Sequence, residues 1–572
     1  MRIHEPFICS QPVHGASRRG TIRAAALLLI VGYTVGCGSG GAPPVLPVAP
    51  APSVPSGTPA SGVSPAATAP AAADPFALPA GPRDDDAAEP GSLAALDLEP
   101  WKKASKAKGV ATSPASCAAW ANRAPSKEGA DVVAAFAEKD PQKRDARLVA
   151  LAKDPKTNAL LNRALRADLA PVECADAIVD PILQSTAAKS SAPASAPNAA
   201  NVRLLVGFSL AGKLARTAGA PPAMGAIREK EKVKAFVNGP LKTWLLEQST
   251  AIELLSSGAA GLSGYARGVA AIEAGIAELR LVDRMRSAPV PATWDPELKS
   301  IYEAALDEAL EPRKKRGRDA ALVGMSDFAR IGIIRDGRLD RARTLLAKLY
   351  GGRRIDALDA LLLPDAPTPP ATTPNEAAVA AIPTYWLDSG DIAHAEDPRF
   401  LANGVTRGLR EQLRKIPEGA PDELRTPYAR ARFAMGRIYW RRVDFVEAAY
   451  AAKPSGKPED RLVLALSLAL AHGPNGAAEM MRAPTPAALD LRHTEALDAL
   501  VAEGGPLAGL AAYDAAHIRA LSPPEGADAA PYLKDVAARF RKAETLLADP
   551  AQKKLAGQRA TEVDAIVAAA SK

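Results

Sequence analysis

Apolar residues return at intervals of three and four along most of this chain. Near the C-terminus Leu533, Val536, Phe540, Ala543 and Leu547 fall on one helical face, with Pro531 near the start and Pro550 at the stop. Leu339, Ala342, Leu346 and Leu349 repeat the spacing. Asp-Pro recurs at Asp140-Pro141, Asp154-Pro155, Asp295-Pro296 and Asp397-Pro398. The pair suits a helix start, because Asp accepts from open N–H groups while Pro fills the first turn. Alternation with period two is nearly absent, so the pattern predicts an all-α fold of irregular helical hairpins, a solenoid or a bundle, with essentially no sheet.

The helical pattern begins near residue 93, and what precedes it is of another kind. Residues 37–92 are almost wholly Pro, Ala, Ser, Gly and Val. So few large apolar groups do not offset the backbone entropy of folding, and the segment is expected to be a disordered tether. At ~3.1 Å per residue in polyproline conformation its upper reach is ~170 Å. Beyond it, Lys189–Pro197 and Pro364–Pro370 read as linkers, dividing the helices into blocks at 93–186, 199–363 and 376–572.

An apolar run from about Ala24 to Val35 follows Arg2, Arg18, Arg19 and Arg23 and ends at Gly36-Cys37. Such a run is too short to cross a hydrocarbon layer, which needs about 20 residues. The arrangement resembles a bacterial lipoprotein signal. That resemblance implies removal of residues 1–36, a lipid on Cys37 and a membrane-anchored envelope protein; cleavage without lipid is the alternative. Bacterial lipoproteins kept in the inner membrane typically carry Asp after the lipidated Cys, and Gly38 stands there, so the implied destination is the outer membrane. Ser17-Arg18-Arg19-Gly20-Thr21-Ile22-Arg23 also resembles a twin-arginine export signal, beside the simpler reading of a basic leader for general secretion.

Charge and cysteine usage narrow the picture further. Removing residues 1–36 takes away four Arg and one Glu, lowering the net charge from +7 to +4. A chain this near neutrality has no global nucleic-acid footprint. Of four cysteines, Cys9 leaves with the leader and Cys37 takes the lipid. Cys117 and Cys174 remain, and an oxidising envelope favours their disulfide over two separately buried thiols.

At Met435-Gly436-Arg437-Ile438-Tyr439, then Phe445 and Ala448, the chain resembles a tetratricopeptide repeat. In that family Gly lets two antiparallel helices approach, Tyr packs between them and Ala marks the crossing. Arg432 and Asp460 stand where the family carries Trp and Pro, and Gly337–Leu349 resembles a second helix of such a repeat. The resemblance implies a scaffold that binds other envelope proteins through stacked hairpins; a generic helical bundle is the alternative.

No catalytic residue, cofactor site or metal site is assigned. Asp388, Asp391, His394, Glu396 and Asp397 form the densest ligand-capable stretch, and an envelope hydrolase or metal-binding enzyme built on it is the rival reading. Gly258, Gly261, Gly264 and Gly268 lack the Lys-Ser/Thr of a phosphate loop and read as packing. Ser105-Lys106-Ala107-Lys108 has the serine–lysine spacing of penicillin-recognising enzymes without their other motifs. The basic run Arg313–Arg318 reads as a solvated turn between helices, with anionic headgroups as its functional alternative, and His472, His493 and His517 read as structural.

Overall fold

Helix starts follow the sequence where the chain offers a cap. Asp140 accepts from the N–H groups of Gln142 and Lys143 at 2.8 and 3.0 Å, and Asp295 accepts from Leu298 at 2.7 Å. Those backbone donors hold the Asp140 carboxyl below its ordinary range. The computed structural model describes residues 74–79, 96–130, 132–153, 159–189, 196–226, 228–259, 261–262, 264–333, 336–349, 353–364 and 422–570. Asp154-Pro155 and Asp397-Pro398 lie outside them.

In chain order the helices are α1 (Glu99–Ala104), α2 (Ser116–Ala121), α3 (Val132–Ala137), α4 (Pro141–Leu151), α5 (Ala159–Leu169), α6 (Ala175–Lys189), α7 (Ala196–Ala215), α8 (Lys230–Phe236), α9 (Lys242–Ser257), α10 (Gly264–Arg286), α11 (Pro296–Ile331) and α12 (Gly337–Leu349). After them come α13 (Asp422–Tyr439), α14 (Arg442–Ala452), α15 (Pro458–Leu470), α16 (Ala477–Arg482), α17 (Glu495–Glu503), α18 (Ala508–Ala520), α19 (Ala529–Leu546) and α20 (Pro550–Ala570). No strand occurs among the described residues; one isolated antiparallel bridge joins Arg441 to Asn475. The fold is all-α.

The longest pair, α10 and α11, packs almost backbone to backbone. A Cβ on Gly275 would lie 2.7 Å from the Gly317 carbonyl oxygen, and one on Gly324 would lie 2.7 Å from that of Gly268. Part of the basic run belongs to this interface, while Lys315 and Arg316 are exposed. Where the sequence suggests a solvated turn, Arg313–Arg318 sits in the middle of α11. Glu278 of α10 pairs with Arg313 at 3.0 Å and Arg316 at 3.2 Å, while Gly317 admits Leu279. Opposite charge and a missing side chain keep the helix continuous there. It stops at Gly332, whose φ of 78° suits a residue without Cβ, and Ile333 N–H returns to the Phe328 carbonyl at 3.0 Å.

One apolar core runs from Trp101 to Ile518, so helices on both sides of the two linker sequences share it. Trp101 Nε1 donates to Ser209 Oγ at 2.8 Å, and Leu362 N–H donates to Asp514 Oδ1 at 2.7 Å. A smaller core joins α18, α19 and α20 through Tyr513, Val536, Phe540, Ala556, Ala560 and Val563. Near α2 and α6, Cys117 and Cys174 are joined by a disulfide with Cα atoms 4.9 Å apart.

A buried pH-sensitive contact fastens α18 to the chain after α12. His517 Nε2 lies 3.0 Å from the Ala357 carbonyl, and burial pushes the imidazole down to about 4. A depressed folded-state value means the stabilisation is complete above the ordinary histidine range and is lost as pH falls from about 6.5 towards 4. Unfolding free energy should drop by on the order of 3 kcal/mol across that window from His517 alone. Asp514 acts with the opposite sign: burial raises its carboxyl well above the usual range, so its contribution fades as pH rises. Urea unfolding of wild type and His517→Gln at pH 7 and pH 4.5 isolates the acid limb, which should flatten in the variant.

Candidate functional site

The helices α13, α14 and α15 form two successive antiparallel packings whose tightest point is Gly436. A Cβ there would meet three atoms of the Phe445 ring at 2.7, 2.8 and 2.9 Å. Phe445 is itself held by Phe433, ring centroids 5.7 Å apart, and Ala448 is fully buried one turn along. Gly436→Leu should therefore overpack the hairpin and lower the urea-unfolding free energy by about 1–3 kcal/mol. Unchanged stability would show that Phe445 has room to move.

Tyr439 and Trp440 form the elbow of this hairpin and carry it onto the preceding helices. Tyr439 Oη donates to the Ile333 carbonyl at 2.5 Å, and burial pushes the phenol well above its ordinary value. Trp440 takes a left-handed φ of 56° and donates its indole N–H to the Ile355 carbonyl at 2.8 Å. Gly436, Tyr439, Phe445 and Ala448 are thus brought together as packing groups, none of them facing solvent.

Beneath them lies an ion pair at 0 % exposure for both members. Arg432 Nη1 meets Asp444 Oδ1 at 2.6 Å, Arg432 Nε donates to Tyr428 Oη at 3.0 Å, and Tyr428 Oη donates to Glu447 Oε2 at 3.2 Å. Burial, reinforced by Glu447, raises the Tyr428 phenol to about 12. Asp460, also fully buried, accepts from Thr426 and Ser455 hydroxyls at 2.6 Å each and locks the start of α15 against α13. Charged side chains do here what a large aromatic would do by volume.

The outer surface of α14 and α15 holds an extended segment from far upstream. Asp74-Pro75-Phe76-Ala77-Leu78-Pro79 falls inside the stretch expected to be tether, yet it is seated against the helices. Phe76 N–H donates to Asp74 Oδ1 at 2.9 Å and Ala77 N–H to Asp74 O at 3.0 Å, closing a turn with Asp first and Pro second. Phe76 and Leu78 then pack on the core. Arg461 lies over the Phe76 ring at 5.4 Å, Lys453 Nζ donates to the Phe76 carbonyl at 3.0 Å and Tyr450 Oη to the Pro79 carbonyl at 3.2 Å. Glu503 on α17 grips Arg461 through both guanidinium nitrogens at 2.7 and 2.9 Å. Phe76 is the sole aromatic between residues 38 and 92, and with Leu78 it supplies what the surrounding sequence lacks.

Other sequence candidates resolve differently. Cys37 and the Asp388–Asp397 stretch lie outside the described residues. Among the described residues no group of three or more His, Cys, Asp or Glu could hold a metal ion, and no helix is long and apolar enough to cross a membrane. His472 and His493 stack at 4.1 Å. Gly258 ends α9, Gly268 faces Phe328, and the Ser105 hydroxyl donates to the Lys102 carbonyl at 2.9 Å at the end of α1. The residues that sequence reasoning missed are Tyr450, Lys453 and Arg461, which carry no local signal; the Asp74-Pro75 turn signal lay within a low-complexity run.

No family model matches this chain, and neither the curated proteins nor the solved structures yield a match.

Proposed function

We propose that the chain is a lipid-anchored interaction scaffold of the cell envelope, held at the outer membrane through Cys37, whose tetratricopeptide-like hairpins bind extended segments of other envelope proteins. Stacked helical hairpins offer long surfaces suited to such segments. The observation that carries the reading is the seating of six residues, a turn and the residues that follow it, across α14 and α15 by an aromatic ring, two main-chain carbonyls and three polar side chains.

The anchor and the surface are separable in one experiment. Membranes carrying wild type, Cys37→Ser, Tyr450→Phe with Arg461→Ala, and Asp391→Ala with His394→Ala are solubilised after mild cross-linking. Wild type should sediment with membranes and bring down a defined envelope protein in stoichiometric amount. Cys37→Ser should lose the membrane, Tyr450→Phe/Arg461→Ala should lose the partner, and Asp391→Ala/His394→Ala should keep both. Partner loss confined to the Asp391 and His394 substitutions would transfer the function to that loop.

A further inference from the structure

We infer that the seam between α14 and α15 is a recognition site for a turn of the form Asp-Pro-Phe-X-Leu-Pro, that Asp74–Pro79 is its resident occupant, and that a partner protein enters by displacing it. This rests on the reading of the hairpins as a binding surface and names what that surface takes. Each residue type in the segment has its own reason. Asp74 and Pro75 fold the turn before it docks, the carboxylate capping Phe76 N–H and the ring fixing the backbone, which lowers the ordering cost of binding. Phe76 presents a ring to the Arg461 guanidinium. Leu78, two residues on, packs on the same core as Phe76. Asp74, Pro75 and Ala77 remain exposed, so the register is one-sided.

The receiving surface is equally specific. Lys453 and Tyr450 reach main-chain carbonyls, which any sequence provides, whereas Arg461 selects the aromatic. Glu503 holds Arg461 in place and its carboxyl is kept below the ordinary range by that same guanidinium, making it a positioning residue. Lys453 Nζ also stands 4.0 Å from Asp74 Oδ2, favouring an acidic first residue.

Covalent attachment sets the competition. A segment joined to its site by a short linker acts at an effective concentration on the order of millimolar, so a free peptide whose own dissociation constant is about 0.1 mM would bind the wild-type chain about tenfold more weakly than a chain whose segment is disabled. The probe is a fluorescent peptide spanning residues 70–83, titrated by anisotropy against the full chain. Three proteins are compared: wild type, Phe76→Ala/Leu78→Ala, and that variant with Arg461→Ala added. Circular dichroism and urea midpoints check that all three are folded.

Binding about tenfold tighter in Phe76→Ala/Leu78→Ala, lost again with Arg461→Ala, is the expected result. Equal affinity in wild type and Phe76→Ala/Leu78→Ala, or no binding to the folded cleared chain, overturns the proposal. The assay needs no envelope partner, so its failure beside a membrane capture that Tyr450→Phe/Arg461→Ala abolishes would remove the Asp-Pro-Phe-X-Leu-Pro specificity while leaving the scaffold reading in place. Binding here beside a failed capture would do the reverse.

Discussion

Asp444→Leu should lower the unfolding free energy of the α13–α15 region by about 3–5 kcal/mol, because it strips the fully buried Arg432 guanidinium of the carboxylate facing it at 2.6 Å. Desolvating two charges and pairing them is close to neutral against a well-packed apolar pair, while leaving one charge behind is not. Arg432→Met/Asp444→Leu should therefore recover most of the loss. A double-mutant cycle by urea unfolding measures the coupling, expected at 2 kcal/mol or more by analogy with contacting buried networks, which reach about 3 kcal/mol. Additive single effects would mean the pair is not coupled and that Tyr428 and Glu447 on one side, and Arg441, whose Nε stands 3.4 Å from Asp444 Oδ2, on the other, hold each member independently.

The second large effect is expected at the other end of the chain. Cys117→Ala/Cys174→Ala should destabilise by about 4 kcal/mol, the chain-entropy value for a closed loop of this length, given a sequence separation of 57. The helices inside that loop explain the dependence. Helix α2 spans six residues, as does α3, so neither has propensity enough to stand alone. Their surroundings add a buried Arg166–Asp145 pair at 2.7 Å, which needs α4 and α5 in place, and an Arg216–Asp176 pair at 2.6 Å, which needs α6 and α7. Thiol labelling of denatured wild type should appear only after reduction, and the reduced protein should show early loss of structure in this region. Labelling before reduction, or unchanged stability in the double variant, would contradict it.

What the sequence reveals of the fold depends on how local the cause is. The face of α19 is legible because Val536, Phe540 and Ala543 are buried at the spacing that defines a helix, and Asp140 and Asp295 cap because the acceptor and its donors are neighbours. Arg313–Arg318 misleads because its partner Glu278 lies 35 to 38 residues away, and a basic run with distant acids looks solvated. The same distance hides the cluster in which Tyr265 Oη donates to Asp168 at 2.9 Å and Arg338 Nη1 pairs with Asp168 at 2.6 Å, separations of 97 and 170 residues. Burial and the two acids, Asp168 and Asp336, push that phenol well above its ordinary value.

The candidate site divides along the same line. Gly436, Tyr439, Phe445 and Ala448 are readable as a close helix crossing only through the repeat that their order resembles, in which Gly and Ala mark the approach of two helices. That α14 and the residues after it also hold Asp74–Pro79 is not, because Tyr450, Lys453 and Arg461 look like any amphipathic exterior until Phe76 is laid over them. Composition argued against order in residues 37–92 as a whole. Two large side chains after an Asp-Pro turn were enough to seat six residues of it.

A photo-cross-linking residue placed at Tyr450 of the full chain in intact membranes reports which peptide lies on α14 and α15. Two adducts are expected on digestion, one within residues 74–79 of the same chain and one to a separate envelope protein, with the second growing at the expense of the first when Phe76→Ala/Leu78→Ala is introduced. Adducts to neither, unchanged by that substitution, while the same probe at Asp391 captures a partner, would contradict it.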